Sequence, residues 1–154
     1  MGNGSMEIFC FTMNELRLAI PLRNVNKVIM AVAVTTVPNV PPIFYGIINN
    51  QGKVIPVINL YHRFNLTKKD ISPEQVFIIA DTSERQIALV ADKTEGVMKP
   101  ENEDVFSVDY LNQSIEANGV LCTNKGIIFI YDIEKFLQAD EIVQFDKSLD
   151  NEMT

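Results

Sequence analysis

Three blocks of short apolar sequence recur along the chain in the same order and at nearly the same spacing, and this internal repeat limits the fold more than any single motif does. Glu7-Ile8-Phe9-Cys10-Phe11 lies over Gln75-Val76-Phe77-Ile78-Ile79 at an offset of 68 residues. At an offset of 69, Glu15, Leu18, Ala19, Ile20 and Val28 lie over Glu84, Ile87, Ala88, Leu89 and Val97. At 73, Gly46-Ile47-Ile48 lies over Gly119-Val120-Leu121, and Ile55, Val57, Asn59 and Leu60 lie over Ile128, Ile130, Asp132 and Ile133. The drift in offset places small insertions between the blocks, where connecting loops tolerate them.

The blocks read as strands. Residues 7–13, 15–20, 26–34, 45–49 and 53–59 are rich in Val, Ile and Phe and are punctuated by Asn, Gly and Pro. Helical character is confined to residues 61–66 and to 132–145, where Ile133, Phe136 and Leu137 fall at helical spacing. Residues 68–73 are polar and end in Ser72-Pro73, so they read as the connector between the halves. Each half thus offers about five short strands in ~65 residues. Closing such a sheet into a small barrel removes its exposed edges. Only alternate residues of a barrel strand point inward, yet Ile47-Ile48 and Val54-Ile55-Pro56-Val57-Ile58 are apolar at consecutive positions. Both faces of these strands need apolar cover, part of it from the other barrel and part from a protein partner.

Composition excludes several functions. The 154 residues are 47% hydrophobic and 21% charged, which suits a folded domain. A net charge of -7, with no basic run, argues against nucleic acid as a partner. No apolar stretch approaches the ~20 residues of a membrane span, so no membrane insertion is expected. Cys10 and Cys122 stand singly in apolar segments and read as free thiols of a reduced, cytoplasmic compartment. His62 has no second His or nearby Cys with which to hold a metal and reads as a surface residue. The seven glycines form no phosphate-binding loop, and no catalytic triad can be assembled. The reading is therefore of a non-enzyme without catalytic residue, metal or cofactor. Glu101-Asn102-Glu103-Asp104 reads as a solvated acidic loop, and Asn65-Leu66-Thr67 and Asn112-Gln113-Ser114 carry no weight as glycosylation sites. Residues 1–5 read as an added leader, 6–145 as the domain and 146–154 as a flexible tail. Within the domain, 15–70 and 75–135 read as subdomains, with the first strand and the last helix packed between or onto them.

The stretch from Tyr45 to Leu60, Y-G-I-I-N-N-Q-G-K-V-I-P-V-I-N-L, resembles the signature hairpin of CheW-like domains, in which G-(V/I)-(I/V)-N-L-R-G runs into (I/V)-(I/V)-P-V-(V/I)-(D/N)-L. The loop from Pro38 to Pro41 and the late Y-D-I-E-K-F-L support it, and the similarity runs from about Met6 to Ile142. The resemblance implies a mostly β fold of two intertwined five-stranded SH3-like β-barrel subdomains with a C-terminal helix. It also implies an adaptor between the cytoplasmic tip of a chemoreceptor and the regulatory domain of the histidine kinase CheA, in arrays at the inner face of the membrane. Carried over by position, a receptor groove would be lined by Phe9, Leu22, Val25, Val28 and Thr94, of which at least two also read as ordinary core. The kinase would meet Asn49, Asn50, Gln51, Gly52 and Pro56, the last marking a strand edge or bulge because proline has no amide hydrogen. Two positions depart from the family pattern: Lys27 stands where a Glu is common, and Gln51 where an Arg is common. A Glu–Arg pair can bond bidentately, whereas Lys and Gln make at most one weaker bond. That departure motivates an alternative, a divergent SH3-like module of another signalling pathway that binds only one of the usual partners; a small-molecule or catalytic barrel ranks last. If the groove reading holds, Val25→Glu should abolish receptor binding while leaving the denaturation curve nearly unchanged.

Overall fold

The computed structural model describes residues 7–100, 105–107 and 119–153. The leader, the acidic loop at 101–104 and the pattern at Asn112 lie outside the described residues. Among the described residues, eleven strands form two sheets. In chain order they are β1 (Ile8–Met13), β2 (Leu16–Pro21), β3 (Val25–Met30), β4 (Phe44–Asn50), β5 (Lys53–Ile58), β6 (Val76–Asp81), β7 (Gln86–Ala91), β8 (Lys93–Met98), β9 (Val105–Ser107), β10 (Gly119–Thr123) and β11 (Gly126–Ile130). One sheet runs β8-β1-β2-β11-β10-β9 and the other β3-β6-β7-β5-β4.

Under the repeat, β1 to β5 correspond to β6, β7, β8, β10 and β11, and the substitution converts the order β3-β6-β7-β5-β4 into β8-β1-β2-β11-β10. The two sheets are therefore pseudo-twofold mates. Their irregularities correspond as well: each has one parallel pair, with Ile130 opposite Ala19 in one and Val57 opposite Ala88 in the other. In each, the third strand of a repeat skips one residue against its neighbour at equivalent places, Asn26 in β3 and Glu95 in β8, whereas a further shift at Phe44/Gly46 between β4 and β5 has no counterpart between β10 and β11. The first block needs one adjustment. Cys10 pairs with Ala19, and Ile79 pairs with Ala88, so β1 and β6 correspond at 69 residues rather than 68. A one-residue slip exchanges the two faces of a strand, and apolar runs with both faces buried hide it.

The halves have exchanged hairpins. β6 and β7 complete the sheet of β3, β4 and β5, whereas β1 and β2 complete the sheet of β8, β10 and β11. The connector at 68–73 separates the repeats but not the sheets. One sheet is the continuous segment from Val25 to Ala91, so subdomains at 15–70 and 75–135 do not coincide with the sheets.

Three apolar clusters account for the consecutive apolar runs. The largest lies between the sheets and takes Phe9, Phe11, Leu18 and Ile20 from one and Ile78, Ile87 and Leu89 from the other. Intervening residues face a smaller cluster inside each curled sheet: Phe77, Ile79, Ala88 and Val90 on one side, Ile8, Cys10, Ala19 and Ile128 on the other. Burial pushes the Cys10 thiol up to about 11, with Glu95 adding to the rise and Arg17 opposing it. Each sheet curls without full closure. In one, Thr35 bridges Ile47 on the free edge of β4, with both backbone bonds at 2.9 Å.

The helical expectations change in detail. α1 spans only Leu60–Arg63, capped by Asn59, whose side chain accepts from the His62 amide; His62 itself is exposed. Instead of one helix over 132–145 there is a 3₁₀ turn at Ile133–Lys135, capped by Asp132, and then α2 at Ala139–Met153. Asn59 and Asp132 occupy equivalent places in the repeat. The expected flexible tail is helix, because Phe145 and Ser148 are buried and Leu149 packs against the central cluster.

Gly46 adopts φ +150°, and a Cβ there would lie 2.2 Å from the Thr35 carbonyl oxygen, at the bridge that nearly closes the barrel. Gly46→Ala should therefore lower the unfolding free energy by about 2–3 kcal/mol, read as a shifted denaturant midpoint with an unchanged slope.

Candidate interaction surfaces

β3 and β8 are equivalent edge strands, and both present side chains on the face of the central cluster. Val25, Val28 and Met30 pair with Ala80, Ile78 and Val76 of β6, and Thr94 and Val97 pair with Phe11 and Phe9 of β1. The central core thus reaches the surface along two mated strands, with Val25 equivalent to Thr94 and Val28 to Val97. Phe9 is buried at 9% exposure within that cluster, and Leu22 and Val25 are partly buried against it. Val28 is 39% exposed, and Thr94 is exposed. The five groove candidates therefore divide into a buried residue, two half-buried ones and two surface ones. Sequence reading missed Met30 at 60% exposure and Val97 at 53%. Both were findable, since they follow Val28 by strand alternation or by the 69-residue equivalence.

The second candidate region is the β4–β5 hairpin. Gln51 and Gly52 both have positive φ, 54° and 84°, the conformation of a type I′ two-residue turn, and the Asn49 side chain accepts from the Gly52 amide at 2.9 Å. Gln51 has left-handed backbone without the Asn, Asp or Gly that usually relieves it. Asn49, Gln51 and Gly52 are exposed and Asn50 partly so. Pro56 is not part of this surface: it is buried within β5. Ile47, its partner in β4, directs its own N–H and C=O at Thr35, so the missing Pro56 hydrogen faces β7, whose pairing with β5 covers only Val57 and Ile58. Beside the hairpin, an open cleft of about 600 Å³ lies between residues 53–55 and the β6–β7 turn at 81–86.

Lys27 and Gln51 are not joined by a hydrogen bond among the described residues. Lys27 is paired with Ile79, on the face of the smaller cluster, so it points away from the seam where Val28 is exposed. Among the described residues there is also no group of three His, Cys, Asp or Glu side chains placed to hold a metal ion. No helix among them is long and apolar enough to cross a membrane.

Known proteins share this architecture. The chain is 22% identical over 144 residues to the "Probable chemotaxis protein CheW" of Rhizobium etli, covering 92% of this chain and 93% of that one. It is 26% identical over 141 residues to the "Protein FrzA" of Myxococcus xanthus, covering 86% of each. The scaffolding protein TtCheW from Thermoanaerobacter tengcongensis shares the fold, with a TM-score of 0.79 at 24% identity over 89% of this chain and 95% of that structure. The CheW-like domain matches residues 7–141, from the first strand to the start of α2, and the chain belongs to that family.

Proposed function

We propose that this protein is a non-enzymatic adaptor that couples a chemoreceptor to the histidine kinase CheA. The observation that carries the reading is the pair of mated edge strands on the central cluster, where Val97 remains exposed beside buried Phe9, and Val28 and Met30 remain exposed beside Ile78 and Val76. A helix from the receptor tip would present apolar side chains at i, i+3 and i+4 to such a seam. The hairpin end, with Asn49, Asn50, Gln51 and Gly52, belongs to β4 and β5 rather than to the seam strands β3 and β8, and is assigned to the kinase regulatory domain. One chain can then hold both partners at once, which is the requirement for an adaptor. Its place is the cytoplasmic face of a receptor array. The names of the R. etli protein and of TtCheW, as a chemotaxis protein and as a scaffolding protein, support the assignment.

A second reading, an interaction module of another signalling pathway that binds only one of these partners, draws on Lys27 and Gln51. Direct titration separates the two. The purified chain should bind the CheA regulatory domain and a receptor-tip helical hairpin independently, each with Kd ~1–10 µM. Binding to one alone establishes the second reading, and binding to neither overturns both.

Structure also selects the better probe of the groove. Val25 packs against the central cluster, so Val25→Glu would cost stability as well as binding. Val28→Glu should weaken the receptor fragment about tenfold or more while shifting unfolding by only ~0.5 kcal/mol and leaving kinase affinity unchanged. Equal loss of both affinities would place Val28 outside a receptor-specific surface.

A further inference from the structure

The CheW-like match ends at residue 141, but α2 continues to Met153. This added length is attached by a few side chains. Phe145 stacks on Phe44, the first residue of β4, with ring centroids 4.5 Å apart. Gln144 Nε2 and Ser148 Oγ both donate to the Asn39 carbonyl, at 3.2 and 3.0 Å, so one helix face holds the loop that leads into β4. On another side, Arg85 in the β6–β7 turn donates from both terminal nitrogens to the Asp146 carboxylate, at 3.0 and 3.1 Å. At the helix start, buried Glu141 accepts from Arg63 of α1 and from the Gln138 amide. α2 therefore grips the entry to the β4–β5 hairpin and one wall of the adjoining cleft.

The helix has little stability of its own. Fifteen residues is a marginal length for an isolated helix in water. Asp140 and Glu141 suit the N-terminal end of its dipole, but the last turn has no basic residue and ends with Asp150 and Glu152. Docking and helix formation are thus coupled. The Arg85–Asp146 pair is the accessible part of the attachment, with side-chain exposures of 27% and 49%.

We propose that α2 is a releasable strap whose docking fixes the base of the β4–β5 hairpin, where Phe44 pairs with Ile58, together with the Arg85 wall of the adjoining cleft. When α2 leaves, Phe44 loses its stacking partner, the Asn39 carbonyl its donors and the central cluster the cover of Phe145 and Leu149, while the strand pairing of β1 with β2 and of β6 with β7 is kept.

Native-state hydrogen exchange on the full chain tests this without any partner, so failure of kinase binding and failure of the strap are distinguishable. Arg85→Asp and Asp146→Arg are compared singly and together at neutral pH. In each single variant the α2 amides and the Phe44 amide, which donates to Pro41 O at 3.0 Å, should exchange about tenfold faster. The amides of Ile78 and Leu89 should be unchanged, and the double variant should restore slow exchange. Faster exchange in α2 with Phe44 unaffected would overturn the coupling. Unchanged exchange in α2 would overturn release through this pair, and uniform acceleration across the sheets would show global unfolding instead of a strap.

Discussion

Two sheets that share one buried face hold this molecule together. The central cluster draws on β1 and β2 from one sheet and β6 and β7 from the other, and these four strands are apolar on both faces. Burying a side chain such as Phe11 or Leu89 fully contributes about 1.5–3 kcal/mol. Neither sheet can keep those residues dry alone, because its own interior covers only the alternate positions. Exchange of the two hairpins follows the same logic: each repeat gives its most apolar strands to the other's sheet, so the sheets are joined by chain connectivity as well as by packing.

The candidate surfaces are consequences of that arrangement. A pseudo-twofold pair of sheets has two mated edges, and along β3 and β8 the shared core is left incompletely covered. Val28 and Val97 are exposed for the same geometric reason, each lying opposite a buried member of the central cluster in the neighbouring strand. The mates are not chemically identical. Val25 and Met30 on β3 answer to Thr94 and Lys99 on the β8 side, so one edge is more apolar than the other. The hairpin end is different in kind: its shape comes from Gln51 and Gly52 at positive φ and from the close approach of Gly46 to Thr35.

Much of this was legible beforehand. Strand positions could be read because β-branched runs alternate with Asn, Gly and Pro, and the hairpin signature carried the family resemblance. The groove candidates were legible only in part. Phe9, Leu22, Val25, Val28 and Thr94 do gather on the central-cluster face of their elements, but their exposure differs too widely to be read from residue type. Met30 was passed over although it lies two residues beyond Val28 on the same face. Pro56 was placed with the turn because proline suggests an edge, whereas the local pairing of β5 accommodates it in the interior. α2 was cut short because its partners, Asn39, Phe44 and Arg85, are distant in sequence.

From the amino-acid sequence alone follow the order of the short strands of each half, their grouping into a repeat, and the tight turn before β5. These are local matters of backbone preference and side-chain periodicity. Tertiary structure alone decided which hairpin joins which sheet, the 69-residue register of β1 on β6, and which apolar residues stay at the surface. The physical reason is the same in each case: strands apolar on both faces satisfy either register and either partner locally, and only simultaneous burial against three clusters selects one.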